Sequence, residues 1–141
     1  MRNWRQNLGK ILMYQYKAKL IRVVDGDTVD ALIDCGFSTF KKERIRLYGI
    51  DAPESRTRDK EEKERGLAAK ARLIELIKDG KDEFIVETSI DKKGKYGRLL
   101  GTLYPLSYND MLMPDFSRRS YNDMLISEGH AVEYNGGKKD V

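Results

Sequence analysis

Two runs rich in apolar and β-branched residues, within residues 17–33, flank the tripeptide Asp25-Gly26-Asp27. Asp-Gly between such runs is a strong short-range hairpin signal, so the chain commits early to an antiparallel sheet that later strands must extend and something must cover. A third strand fits "ERIRLYGI", with Ile45 and Leu47 on one face and Arg44, Arg46 and Tyr48 on the other. Pro53 in "DAPE" ends it, because proline cannot donate to a ladder. The following "SRTRDKEEKER" mixes both signs of charge without an apolar period and reads as a mobile loop or a frayed helix start. "GLAAKARLIELIKDG" sets Leu67, Ala71 and Ile74 along one helical stripe flanked by Leu73 and Ile77, with Asp79-Gly80 as the stop. "DEFIVETSI" and "GRLLGTLY" then read as strands around the turn "DKKGKYG". A second helix fits "SYNDMLISEG", capped by Ser120 and ending at Gly129. Three strands, a helix, two strands and a helix suit an α+β, mainly β fold: a five-stranded OB-type Greek-key barrel with two or three helices.

At 141 residues the chain is long enough for one core and short for two. Residues 17–135 are expected to form the domain, with a basic arm at 1–16, an insertion near 105–119 and a tail at 136–141. The insertion contains a near repeat: "SYNDMLM" at 107–113 echoes "SYNDMLI" at 120–126, but Pro114 stops the first copy early. Residues 1–20 hold only the short apolar run at 11–14, whereas a secretory segment needs roughly 7–15 apolar residues and a small-residue cleavage site. A cytoplasmic protein with no membrane span is expected, and a monomer.

Charged residues make up 35% of the chain and the formal net charge is +4, which favours a polyanionic partner such as nucleic acid or phosphate, with a role in solubility alone as the alternative that charge does not separate. The single cysteine, Cys35, excludes an intramolecular disulfide framework, and with the single histidine, His130, it excludes Cys-rich and His-rich metal centres. Any metal must be held by oxygen, which points to calcium or magnesium. Neither Cys35 nor His130 has neighbours that suggest an activated thiolate or proton transfer; both read as packing or turn residues.

Against this basic background, "VVDGDTVDALID" gathers Asp25, Asp27, Asp30 and Asp34. Aspartate is depleted in strands, so some of these acids need another reason to be there. An EF-hand loop is excluded, because the positions that need Asp or Asn, Gly and Glu carry Val29, Asp30 and Gly36. Asp30 and Asp34 alternate with Val29, Ala31 and Ile33 and read as solvent-facing strand positions. Asp27 closes the hairpin turn and Asp51 ends the third strand; a barrel pairing those strands can bring both carboxylates to one edge, where the Ala52 carbonyl and waters can complete a shell of roughly 6–8 oxygens. Arg46 and Arg98 offer planar forks for phosphate oxygens, and Glu54 is a spare carboxylate able to activate or position a water. A hard cation, two arginines and a carboxylate are the components of a phosphodiesterase.

"VVDGDTV", "RIRLYGIDAPE", "DKKGKYGR" and "NDMLISEGHA" together resemble the staphylococcal nuclease (thermonuclease) family, in the same order and at similar spacing. The resemblance implies an OB-type barrel that hydrolyses DNA and RNA with Ca2+, leaving 3′-phosphate and 5′-hydroxyl ends. It implies Asp27, Asp51 and the main-chain oxygen of Ala52 as metal ligands, Arg46, Glu54 and Arg98 as catalytic residues, and Asp25 as a neighbour of the metal. Lys95 and Tyr96, and Tyr134 in the place of the family's C-terminal tyrosines, become candidate substrate contacts. Ala52 stands where the family often has Thr, Gly94 where it is often acidic, and residues 107–119 have no counterpart. The alternatives are a non-catalytic OB-fold nucleic-acid-binding module, which would bind without cutting, and a calcium-dependent structural protein, which would bind metal without hydrolysis.

Overall fold

A computed structural model describes residues 14–89, 99–106 and 119–134. Five strands close into a barrel: β1 (Gln15–Asp25), β2 (Thr28–Asp34), β3 (Phe40–Leu47), β5 (Glu83–Ser89) and β6 (Leu99–Pro105), in the order β1-β2-β3-β6-β5. Neighbouring strands run antiparallel except β3 and β6, which are parallel. The fold is the expected OB-type barrel, mainly β, with two helices among the described residues, α1 (Lys60–Asp79) and α2 (Tyr121–Ser127). Inward positions at alternate residues supply the core: Val29, Ile45, Phe84, Val86 and Leu103 are fully buried, and Leu73 and Ile77 of α1 and Leu125 of α2 join them.

The structure corrects four local expectations. The third strand does not run on to Ile50: it breaks at Tyr48-Gly49, where Gly49 takes φ +79°, and resumes as the short β4 (Ile50–Asp51), which pairs with β7 (Val132–Glu133). A left-handed residue cannot continue a ladder, and glycine adopts it without a Cβ penalty. The first helix begins at Lys60 inside the charged stretch. Asp59 caps it by accepting from the Glu61 amide at 3.0 Å, and Glu61 and Glu62 place negative charge at the helix start.

The buried stripe of α1 is Gly66, Ala69, Leu73 and Ile77, while Leu67 is 46% exposed and Ala71 is exposed as well. Small residues lead because the helix start lies against backbone. A Cβ on Gly66 would stand 2.3 Å from the Glu54 carbonyl oxygen, and one on Gly26 would stand 2.6 Å from the Ala69 Cβ. Gly26 therefore serves close approach of helix and hairpin. Finally, Asp30 is not solvent-facing: it is buried between Arg22 and Arg44, its register partners on the two flanking strands. Asp34 is half-buried and accepts from the Gly36 amide at 2.9 Å.

Ser120 caps α2 by accepting from the Asp123 amide at 3.0 Å, and Gly129 follows the helix with φ +82°. The turn "DKKGKYG", the first copy of the repeat, the basic arm up to residue 13 and the tail lie outside the described residues.

Candidate active site

The hairpin turn between β1 and β2, the end of β3 and the start of the connection after β4 meet at one edge of the barrel. Asp27 sits in the turn, 7% exposed, and its carbonyl accepts from the Leu47 amide at 2.8 Å, which fastens the turn to the end of β3. Its carboxylate is held on both oxygens: Oδ1 accepts from Thr28 Oγ1 at 2.9 Å and Oδ2 from the Ala52 amide at 2.8 Å. The Ala52 contact carries the chain after Asp51 back against the turn. Asp27 thus lies against Ala52, the residue after Asp51, through the Ala52 amide.

Arg46 joins the two acids. Its side chain is 13% exposed, with Nη1 3.2 Å from Asp27 Oδ2 and Nη2 3.3 Å from Asp51 Oδ1. One guanidinium fork thus spans two carboxylates with little water around it, where such pairing is stronger than at an open surface. The Tyr134 ring lies 5.9 Å from the centre of that guanidinium, within cation–π range. The Tyr134 amide donates to the Gly49 carbonyl at 2.8 Å, so the left-handed turn that breaks β3 also fixes the tyrosine. Glu54 is exposed three residues beyond Asp51, and its amide donates to Glu62 Oε2 at 3.3 Å. Arg98, Lys95 and Tyr96 lie outside the described residues.

Two supports, Ser55 and Asn122, gave no signal in the sequence. Asp25 accepts from the Ser55 amide at 3.2 Å and from the Ser55 hydroxyl, tying the loop that carries Glu54 to the end of β1. Asn122 of α2 is buried; its Oδ1 accepts from the Leu103 amide at 3.0 Å, and its Nδ2 donates to the carbonyls of Tyr48 at 2.8 Å and Gly101 at 3.2 Å. It locks the turn between Arg46 and Asp51 to β6. Only the "SYNDML" helix pattern marked its position, and helix periodicity does not reveal a side chain that serves three strand and turn groups.

All the donors at this edge are oxygen, which suits a hard cation. Among the described residues no group of three or more His, Cys, Asp and Glu side chains is placed to hold a metal; two carboxylates, Asp27 and Asp51, share this edge through Arg46. The pair already accommodates positive charge, in the form of the Arg46 fork, and so fits the cation its chemistry implies.

The chain is thus a small five-stranded OB-type barrel that sets two aspartates, an arginine and a tyrosine beside its first hairpin. The chain belongs to the staphylococcal nuclease homologues, whose family model matches residues 44–140. That match includes Arg46, Asp51, Ala52, Glu54 and Tyr134 but begins after Asp27, whose membership of the site rests on its contacts. The chain is also 32% identical over 90 residues to Protein ParB of Escherichia coli, an alignment covering 64% of this chain and 42% of that protein. The chain therefore spans less than half the length of that curated relative. Among the described residues no helix is long and apolar enough to cross a membrane.

Proposed function

We propose that this chain is a calcium-dependent phosphodiesterase that hydrolyses DNA and RNA. The observation that carries it is the Arg46 fork shared between Asp27 and Asp51 beside Tyr134, in a member of the staphylococcal nuclease homologues. Asp27, Asp51 and the Ala52 main chain would hold a calcium ion, which would supply Lewis-acid polarisation of the phosphoryl oxygen. Thr28 and the Ala52 amide hold the Asp27 carboxylate in place through both of its oxygens. Arg46 exchanges carboxylate for phosphate oxygens, which its planar geometry matches equally well, and stabilises the charge that grows on them in the transition state. Arg98 provides the second guanidinium. Glu54 takes the proton of the attacking water, whose oxygen bonds to phosphorus as the P–O5′ bond breaks. The bonding pair leaves on O5′, which is protonated to a 5′-hydroxyl, and the phosphate stays on the 3′ side. Tyr134 stacks on a base and steadies Arg46.

The test is cleavage of single-stranded DNA, duplex DNA and RNA in calcium, magnesium or EDTA, with wild type beside Glu54→Gln and Arg46→Ala. Calcium-dependent cutting that falls about 10²–10³-fold in each folded variant is expected, the scale of losing one base or one transition-state donor. Wild-type rates in a folded variant remove that residue from the mechanism. Retention of DNA in a gel shift without cutting by any protein makes the chain a binding barrel.

A further inference from the structure

The outer face of β1, β2 and β3 carries charge that the catalytic edge does not use. Cross-strand register arranges it in rows that recede from that edge. Thr28 lies opposite Arg46 at the edge itself; next come Arg22, Asp30 and Arg44, then Lys19, Leu32 and Lys42, and last Asp34 opposite Phe40. These β2 and β3 positions alternate with the core residues Val29, Ala31, Ile33 and Ile45, so their side chains leave the barrel on its outside. Four cations stand there against two carboxylates. Asp30 accepts from Arg22 Nε at 2.8 Å and from Arg44 Nε at 2.8 Å, so one acid fixes two guanidiniums side by side. The carboxylate of Asp34 is engaged by its own hairpin through the Gly36 amide.

Beyond Phe40, which is 56% exposed, the chain turns through Gly36, Phe37 and Ser38, with φ of 81°, 54° and 60°. A left-handed phenylalanine is strained, and this one is 103% exposed, so nothing in the fold repays its conformation or its hydration. Two open aromatic faces at the far end of a basic strip are what an unstacked base needs, whereas a duplex keeps its bases stacked on one another.

Resting on the nuclease assignment for its direction, we propose that Lys19, Arg22, Lys42 and Arg44, with Phe40 and Phe37, form a track for a single-stranded nucleic acid that leads to Arg46. The cations neutralise its phosphates and the phenylalanines stack its bases. Six residue steps along β3 separate Arg46 from Phe40, about 20 Å at strand rise.

The experiment is fluorescence anisotropy with an oligothymidylate of about 20 nucleotides, in EDTA so that nothing is cut, using wild type, the double variant Lys19→Glu/Lys42→Glu, and Phe37→Gly. All three replaced residues are exposed, and glycine accepts the left-handed backbone, so the variants should fold as wild type by circular dichroism. The Kd should rise about tenfold or more in the double variant, and the magnitude of its log–log salt dependence should fall by about 1.4, near 0.7 for each phosphate no longer neutralised. In Phe37→Gly the Kd should rise about fivefold or more, the lower end for one stacked base, while hydrolysis of a dinucleotide in calcium is unchanged in both. Affinities within twofold of wild type in both folded variants overturn the track. So does a duplex of equal length that binds as tightly as the single strand and is insensitive to Phe37→Gly. If wild type cuts nothing, the nuclease assignment alone fails, because the anisotropy measurement in EDTA still decides the track.

Discussion

Asp30→Asn removes the charge shared by Arg22 and Arg44 while keeping the side-chain volume. Hydrogen bonding from Arg44 holds the Asp30 carboxyl down to about 2 from its ordinary 3.8; burial opposes the shift, and Arg22 adds to it. Because the folded value is depressed, the stabilisation is fully present above about pH 4 and is lost as pH falls toward 2. The interval from 3.8 to about 2, at about 1.4 kcal/mol per pH unit, makes about 2–3 kcal/mol at neutral pH. The arginine side chains are 64% and 48% exposed, so solvent screening trims this to about 1–2 kcal/mol. Urea melts of wild type and Asp30→Asn at pH 7, 4, 3 and 2.5 read the difference directly, and other titrating groups cancel in the subtraction. The gap should be about 1–2 kcal/mol at pH 7, unchanged to about pH 4, and should close below pH 3. No gap at pH 7, or the same gap at pH 2.5, would refute the ion triad as a stabilising element.

Asn122→Ala should cost about 2–4 kcal/mol, because it leaves the Leu103 amide and the carbonyls of Tyr48 and Gly101 unmatched in a buried place. A urea melt measures it, and a loss below about 0.5 kcal/mol would mean that water reaches those groups. Gly66→Ala reverses an ordinary sign: alanine inside a helix normally gains about 1 kcal/mol over glycine, but here its Cβ meets the Glu54 carbonyl, and overpacking should cost about 1–3 kcal/mol net. Calcium calorimetry on Asp27→Asn should show weakened binding, whereas unchanged affinity would move the metal site elsewhere.

The barrel was legible because its strands alternate cleanly, as in Val29, Ala31 and Ile33 against Asp30 and Leu32, and because a two-residue turn fixes how the first two pair. The break at Gly49 was not, since an apolar residue on either side reads as one continuous strand until the β4–β7 pairing shows where the backbone must turn. The helix stripe was misplaced for a related reason. Hydrophobicity favoured Leu67, but the helix packs on backbone at Glu54 and Ser55 and on the hairpin at Gly26, where bulk is excluded and Gly66 and Ala69 are the residues that fit. Periodicity finds the wide part of a core and misses the places where elements touch through their main chains.

The same division runs through the site. Asp27, Arg46 and Asp51 could be expected at one edge from the sequence because a hairpin turn and the end of the third strand meet when those strands pair, and the Arg46 fork does join the two carboxylates. Their supports are chosen by position instead of by reactivity. Ser55 qualifies only because it meets Asp25 from 30 residues away, and Asn122 only because it meets Tyr48 across 74. Asp30 shows the limit from the other side: an aspartate on an outward strand position reads as solvated until the register sets an arginine on each neighbouring strand. Charge on a β face is therefore a property of three strands at once, and a single strand's alternation is too local to report it.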